Sequence, residues 1–405
     1  MGALLAPAIA GCADTIERVG DADRELSMLC RRGGQCGRVM HAANKLDLLI
    51  MVDNSNSMRD EQAALAAELP RMMNALLTGD LDGDGQPELA PIEDVHVGVV
   101  SSDMGLVNVP GIDGCIGVGD DGVLKGTTMD TPVCNPSTEP FLHYDADAAN
   151  RADAANEISC RALLGVTGCG FEQQLESVLK ALTPSSSDLQ FWSEQGLTEG
   201  VGHGDTNNAG FLRNDPSDPS LIAVLLITDE EDCSNRDPAF LVPRASMSGL
   251  NTRCFLEGQR GAASKLHPIK RYIDGLRALR PGHDNLVFFG LIAGLPPDAV
   301  SAEAMSGVDF SNQAERNAFY DELLDHPKMQ EVIDPRSNQD PADEPRYGVR
   351  SRHGRASLSS AAHGRGRARL RLQRGRAIDL PGELHLGDRA DHAAHGRFVQ
   401  RRVSQ

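Results

Sequence analysis

The chain has 405 residues, and its hydrophobic share of 40% is sufficient for a buried core in one large domain or two. Its formal net charge of -19 argues against a general nucleic-acid-binding protein, because phosphate backbones are bound by basic surfaces. No stretch of the sequence is long and apolar enough to span a bilayer.

The first twelve residues are small or apolar and end in Ile-Ala-Gly-Cys at Cys12. This segment, 1–12, resembles a bacterial lipoprotein signal, which is cleaved before a cysteine that then receives a lipid. Because no Lys or Arg precedes the apolar part, this interpretation requires a true start upstream; the alternative is an ordinary buried segment. Ala13 follows the cysteine, which by the same resemblance implies the outer membrane, with a secreted or periplasmic protein as the other envelope location. We interpret residues 13–44 as an N-terminal linker that contains cysteines.

Without Cys12, eight cysteines remain, and an even number suits an oxidising compartment. No pair is spaced as Cys-x-x-Cys, so zinc ribbons and thioredoxin-type redox sites are not expected. Connectivity does not follow from sequence alone, but neighbours along the chain pair most easily. This predicts four disulfides: Cys30–Cys36, Cys115–Cys134, Cys160–Cys169 and Cys233–Cys254.

Residues 46–52 form an apolar run without a turn former, which predicts a strand buried on both faces of a parallel sheet. Asp53, Ser55 and Ser57 follow it, and in open α/β sheets ligands bind just beyond the carboxyl ends of the strands. All three side chains are hard oxygen donors, which suit Mg²⁺ or Mn²⁺ better than zinc. The alternative is an Asx-type turn that caps the next helix.

An Asp-x-Ser-x-Ser sequence after a hydrophobic strand resembles the metal-ion-dependent adhesion site of von Willebrand factor A-type domains. The resemblance implies an α/β fold for residues 45–345, in which a doubly wound, mostly parallel central sheet, similar to a Rossmann sheet, has helices on both faces. It also implies that Asp53, Ser55 and Ser57 ligate the ion directly.

The next elements are a helix over 59–77 and a strand over 95–101, which together begin a doubly wound unit. The loop between them has carboxylates at alternate positions followed by glycine, and it resembles a calcium loop. Pro91 stands where an EF-hand has its bidentate Glu, which leaves a shorter calcium loop or a solvated acidic turn. The candidate calcium ligands are Asp80, Asp82, Asp84 and Glu88.

Residues 105–165 are rich in Gly, Asp and Cys and have little periodicity, which predicts a loop insertion stapled by disulfides at the carboxyl-end side of the sheet. After it, Thr167 stands on a Gly-rich loop before a helix over 171–182. A-type domains supply their second metal loop from a Thr in such a position, so the resemblance implies Thr167 as a ligand. The alternative is that Thr167 only caps or lines the disulfide loop.

A second fully apolar strand, over 220–228, ends in Thr228 and Asp229. A-type domains carry their third metal loop as Thr-Asp after the next central strand. The resemblance therefore implies that Asp229 completes the shell, usually through water, and that one position on the ion stays open to a carboxylate of a partner. The acidic residues that follow, 230–232, more often form a solvated face.

The remaining pattern predicts a helix over 265–279, a strand over 285–294 and a helix over 310–324. Residues 346–405 differ in composition: they are rich in arginine, contain no lysine and lack hydrophobic periodicity. Such a composition is typical of a GC-rich gene read in the wrong frame, so we predict a frameshifted, disordered tail. The alternative is a basic tail that binds nucleic acid.

Together these features predict a divalent-metal-dependent adhesion protein of the bacterial cell envelope, with Mg²⁺ or Mn²⁺ at the first site and Ca²⁺ at the acidic loop. The expected partner is a protein or other envelope ligand that offers a carboxylate, with membrane contact only through the lipid anchor. No catalytic residues are expected, because the sequence has neither Gly-x-Ser-x-Gly nor a Walker loop. The alternatives are a disulfide-stapled structural envelope protein with a vestigial metal site and a metal-dependent hydrolase.

Overall fold

The computed structural model describes most of the middle of the chain. The predicted signal with Cys12 and nearly all of the arginine-rich tail lie outside the described residues. The described residues are 26–30, 36–40, 45–127, 134–135, 137–145, 154–192, 201–215, 218–243, 252–310, 312–333 and 349–351.

The described residues contain nine strands and seven α-helices. The strands are β1 (Leu26–Cys30), β2 (Cys36–Met40), β3 (Lys45–Val52), β4 (Asp94–Ser101), β5 (Phe141–Asp145), β6 (Leu221–Ile227), β7 (Val287–Ile292), β8 (Glu331–Ile333) and β9 (Val349–Ser351). The helices are α1 (Arg59–Thr78), α2 (Ala154–Ala162), α3 (Gln174–Leu182), α4 (Arg253–Gly258), α5 (Ile269–Ala278), α6 (Ala302–Met305) and α7 (Gln313–Asp325). No described helix is both long enough and apolar enough to cross a membrane.

Five strands form the central sheet in the order β5, β4, β3, β6, β7, and the two antiparallel pairs β1–β2 and β8–β9 are separate from it. Strands β4, β3, β6 and β7 run parallel, whereas β5 is antiparallel to β4 at one edge. The sheet is therefore mixed and mostly parallel, within an α/β fold. Val52 at the end of β3 pairs with Ser101 of β4 and with Ile227 of β6, so three loops leave the sheet at the same level.

The centre of the sheet is buried on both faces. On one face Ile50 and Val52 of β3 belong to a hydrophobic cluster with residues of α1 and α2. On the other face Leu49 and Met51 belong to a cluster with residues of α3 and α5. A strand covered on both faces needs a continuous apolar sequence, and this is why the strand predicted at 46–52 lies at the centre.

The segment 105–165 differs from the predicted loop insertion, because it contains the strand β5 and the helix α2. Tyr144 of β5 and Ile158 of α2 are fully buried and belong to the same hydrophobic cluster as Ile50 and Val52 of β3. These two short elements are part of the main layers of the fold. Their sequences are too short to show a clear period, so only contacts with β4 and α1 reveal them.

Three disulfides are described, and they correct the predicted pairing. Cys233–Cys254 is confirmed, whereas Cys115–Cys134 and Cys160–Cys169 are wrong, since Cys115 pairs with Cys169 and Cys134 with Cys160. The reason is tertiary: the turn before Cys115 packs against the turn before Cys169, where a Cβ on Gly114 would lie 2.5 Å from the Gly168 carbonyl oxygen. Cys30 and Cys36 are opposite each other in the β1–β2 register, and their disulfide stays a prediction.

Candidate metal centre

The candidate site lies where three loops leave the carboxyl ends of β4, β3 and β6. Asp53 follows β3 directly, Ser102 follows β4, and Thr228 follows β6. The backbone N–H of Asp53 donates to the Ile227 carbonyl at 2.9 Å, which continues the β3–β6 ladder by one residue. The sheet register therefore brings side chains from residues 53, 102 and 228 to one place.

Asp53 is fully buried and its carboxylate is held by three donors. Oδ1 accepts hydrogen bonds from the Ser55 backbone N–H at 2.8 Å and from Ser102 Oγ at 3.3 Å. Oδ2 accepts from Thr228 Oγ1 at 2.7 Å. Burial raises the pKa of the Asp53 carboxyl above its usual range, the charge of Asp229 raises it further, and the bonds from Ser55 and Thr228 act in the opposite direction.

The two serines of the Asp-x-Ser-x-Ser loop connect this carboxylate to the loop after β6. Ser55 Oγ and Ser57 Oγ lie 3.0 Å apart, and Ser57 Oγ donates to Asp229 Oδ1 at 2.9 Å. Asp53, Ser55, Ser57 and Asp229 thus form one hydrogen-bonded group of oxygen donors. The structure brings these four sequence-predicted residues together although 172 positions separate Ser57 from Asp229.

The loop that carries Thr167 is tied to the first loop on both sides of Thr167. Gln62 of α1 donates to the carbonyl oxygens of Asp53 and Gly165, at 2.8 Å each. The Gly168 N–H donates to the Asn54 carbonyl at 3.0 Å. A Cβ on Gly168 would lie 2.2 Å from Asn54 Oδ1, so a larger residue at this position would require the Asn54 side chain to move. Thr167 itself is exposed on this loop.

Sequence reasoning missed Glu172, which lies between Thr167 and α3 and is buried, with 5% of its surface exposed. Its carbonyl accepts from the Cys233 N–H at 2.7 Å, and the next residue, Gln173, donates its N–H to the Ser102 carbonyl at 3.0 Å. Burial raises the pKa of the Glu172 carboxyl well above its usual range, and the charges of Asp53, Glu230 and Asp229 raise it further. In the sequence nothing separates Glu172 from an ordinary acidic residue before a helix.

Among the described residues, no Lys or Arg side chain forms an ion pair with the buried carboxylate of Asp53 or of Glu172. A buried carboxylate without compensation costs several kcal/mol, and the cost falls when it takes up a proton or binds a cation. The surrounding donors are carboxylates and hydroxyls, an oxygen-only set that fits Mg²⁺ or Mn²⁺.

The acidic loop after α1 also brings its four predicted residues together. One carboxylate oxygen from each of the four lies within 4.8 Å of those of the others: Asp80, Asp82, Asp84 and Glu88. Asp80 accepts backbone bonds from Gly83 at 2.7 Å and from Gly85 at 2.9 Å, and both glycines have positive φ. These bonds account for the loop geometry without an ion, so calcium binding there stays a prediction.

A further group of Asp94, His96 and His143 lies at the opposite end of the sheet, where β4 pairs with β5. His143 Nε2 lies 3.1 Å from Asp94 Oδ1, and His96 Nδ1 lies 2.7 Å from the Phe211 carbonyl oxygen. Arg213 forms an ion pair with Asp94, which supplies the positive charge that a metal would otherwise bring. We interpret this group as an ion network that holds the edge strand in place.

No protein-family model matches the chain, and no curated protein matches it either. The class of this protein is therefore described by its fold and its candidate site. It is an α/β protein with a mixed, mostly parallel five-stranded sheet, and buried carboxylate and hydroxyl side chains lie together at the carboxyl ends of its central strands.

Proposed function

We propose that this protein is a divalent-cation-dependent binding protein of the bacterial cell envelope, with Mg²⁺ or Mn²⁺ held at Asp53, Ser55, Ser57, Thr167 and Asp229. The observation that carries the proposal is the hydrogen bond between Ser57 and Asp229, at 2.9 Å, beside the fully buried Asp53. Loops that are far apart in sequence meet there, and the side chains that they bring together offer oxygen atoms as ligands. Such a site suits a hard cation.

We propose further that the fold is the doubly wound sheet of von Willebrand factor A-type domains. Support comes from the parallel order β4, β3, β6, β7 and from the helices on both faces. It also comes from the two metal-loop sequences, Asp-x-Ser-x-Ser after β3 and Thr-Asp after β6, which lie side by side.

In the proposed binding reaction, Asp53, Ser55 and Ser57 ligate the ion directly, while Thr167 and Asp229 complete the shell. When bound, the ion supplies a positive charge with one open position for an oxygen ligand. The preferred ligand is a carboxylate of a protein or another envelope molecule. The three disulfides fit an oxidising compartment, and lipidation at Cys12 would provide the anchor.

The test is calorimetric titration of Mn²⁺ and Mg²⁺ into the wild-type chain and into Asp53→Ala. Asp53 follows the strand and adds no apolar contact to the core, so the variant should keep its circular dichroism spectrum yet lose the binding heat. Asp274→Ala, which removes a carboxylate from the exposed side of α5, is the matched control and should bind like the wild type.

Unchanged Mn²⁺ binding by Asp53→Ala would contradict the proposed metal site. A wild-type chain that binds no divalent ion would instead favour a disulfide-stapled structural protein. If binding depends on Asp53, a pull-down from envelope extract with and without chelator should show ligands that are retained only with the ion and only by the wild type.

A further inference from the structure

Two buried glutamates, Glu172 and Glu176, lie four residues apart around the start of α3, and their surroundings differ in charge. Their side chains are both almost completely buried. Glu176 accepts hydrogen bonds from Arg271 Nε at 3.0 Å and Nη2 at 2.9 Å and from Tyr272 Oη at 3.0 Å. An arginine thus balances the charge of Glu176, which has a structural role between α3 and α5.

Glu172 has the opposite environment. No described Lys or Arg forms an ion pair with it. Burial raises the pKa of its carboxyl well above the usual range, and the charges of Asp53, Glu230 and Asp229 raise that pKa further. Its backbone carbonyl accepts a hydrogen bond from the Cys233 N–H, and the N–H of the next residue, Gln173, donates to the Ser102 carbonyl. Because the Ser102 side chain also donates to Asp53 Oδ1, these bonds hold the backbone of Glu172 close to the loop that begins at Asp53.

A fold gains nothing from two buried carboxylates that repel each other without a positive group. Each costs several kcal/mol in desolvation, and their mutual repulsion adds to that cost. A divalent cation would lower both penalties at once, because its positive charge is opposite in sign to the charge of both carboxylates. The arrangement is therefore typical of a site built around an ion.

We propose that Glu172 is a further residue of the cation site, and that its carboxylate faces the bound ion and supplies the second fully buried negative charge beside Asp53. This inference rests on the proposed function and extends it. It assigns to the loop before α3 a charged group in addition to the exposed hydroxyl of Thr167. The alternative is a permanently protonated Glu172 that serves only as a neutral hydrogen-bonding side chain.

The experiment compares Glu172→Gln with Glu176→Gln in two measurements: thermal unfolding in chelator and Mn²⁺ titration. Gln has the shape of a protonated Glu. Glu172→Gln should unfold at the wild-type temperature or above it, since it removes a repelling charge, and should bind Mn²⁺ about tenfold or more weakly. Glu176→Gln should unfold at a lower temperature, because Arg271 loses its partner, and should keep the wild-type Mn²⁺ affinity.

Glu172→Asp is the rescue variant, because it keeps the charge on a shorter side chain and should recover part of the lost affinity. Wild-type Mn²⁺ affinity in Glu172→Gln would overturn the inference and favour the protonated alternative. An affinity loss in Glu172→Gln that accompanies a lower unfolding temperature, with no recovery in Glu172→Asp, would also overturn it. Failure of the proposed function is distinguishable, since Asp53→Ala would then bind Mn²⁺ like the wild type.

Discussion

At the scale of single residues, two buried carboxylates near the ends of strand β3 differ in the charge of their partners. Asp47, near the start of the strand, and Asp53, just after its end, are both fully buried. Asp47 pairs with Arg213, whose Nε lies 2.7 Å from Oδ1, and Arg280 lies 3.7 Å from Oδ2. Among the described residues, Asp53 accepts side-chain hydrogen bonds only from neutral groups, Ser102 and Thr228. This contrast supports the cation site that we propose at the carboxyl end of β3.

Asp232 gives a pH prediction at the same scale. Its carboxylate accepts from the Leu175 N–H at 3.0 Å and from Ser234 Oγ at 2.8 Å, yet burial raises its pKa to about 6 from an ordinary value of 3.8. Between these values the folded state holds a proton that the unfolded state has released. The stabilisation of the folded state by the proton on Asp232 is therefore complete below about pH 4 and is lost as the pH rises to about 6.

The measurement is the free energy of unfolding of Asp232→Asn minus that of the wild type, in chelator, at a series of pH values. The variant does not titrate, so the difference should rise from about pH 4 to about pH 6 and then level off. A difference for Asp232→Asn that stays flat with pH would show that the pKa of Asp232 in the folded state is ordinary.

At the scale of elements, the loop after β6 makes two sets of contacts. Through Asp229 it contacts Ser57 of the loop after β3. Through Asp232 and Ser234 it caps the start of α3 at the N–H groups of Leu175 and Glu176. The four acidic residues at 229–232 are therefore not one uniform solvated face. The position of α3, and with it Glu172, depends on this loop.

The acidic loop after α1 carries its own prediction. Asp82→Asn combined with Asp84→Asn should weaken Ca²⁺ binding, because two exposed carboxylates of a four-carboxylate cluster lose their charge. Limited proteolysis near residues 80–88, with and without Ca²⁺, measures the effect. Asp53→Ala is the control and should keep the Ca²⁺ protection. If Ca²⁺ does not change cleavage of the wild type, the loop is a solvated acidic turn.

At the scale of the whole molecule, two disulfides lie in a separate small core on the side of the candidate site. Cys115–Cys169 and Cys233–Cys254 belong to one hydrophobic cluster that includes Leu106, Phe171 and Leu241. Cys134–Cys160 instead joins α2 to the segment before β5. The first bridge is adjacent to Gly168 and Thr167, so it holds the loop that carries the predicted ligand Thr167.

Removal of Cys115–Cys169 by a double Cys→Ser change should therefore lower both stability, by about 2 to 5 kcal/mol, and Mn²⁺ affinity. The double Cys→Ser change at Cys134 and Cys160 is the matched control, which should lower stability and leave the affinity unchanged. A thiol count near zero in exported wild-type protein verifies that the bridges form. Equal Mn²⁺ affinity in both double variants would contradict the role of the first bridge.

The sequence by itself determined the central strands, the α/β class and four residues that the structure brings together at one edge of the sheet, Asp53, Ser55, Ser57 and Asp229. These are local features: an apolar run predicts a doubly covered strand, and oxygen donors that follow the run must lie at the edge of the sheet. The helices at 59–77 and 265–279 follow from apolar periodicity in the same way, and α1 and α5 confirm them.

Only the tertiary structure decided which cysteines pair, that β5 and α2 belong to the main layers, that Ser102 donates to Asp53 and that Glu172 is buried. Each of these depends on contacts between segments far apart in the chain, and no local period or motif encodes them. Glu172 and Glu176 make the point most directly. Arg271 donates to the carboxylate of Glu176, whereas burial and the charge of Asp53 raise the pKa of the Glu172 carboxyl.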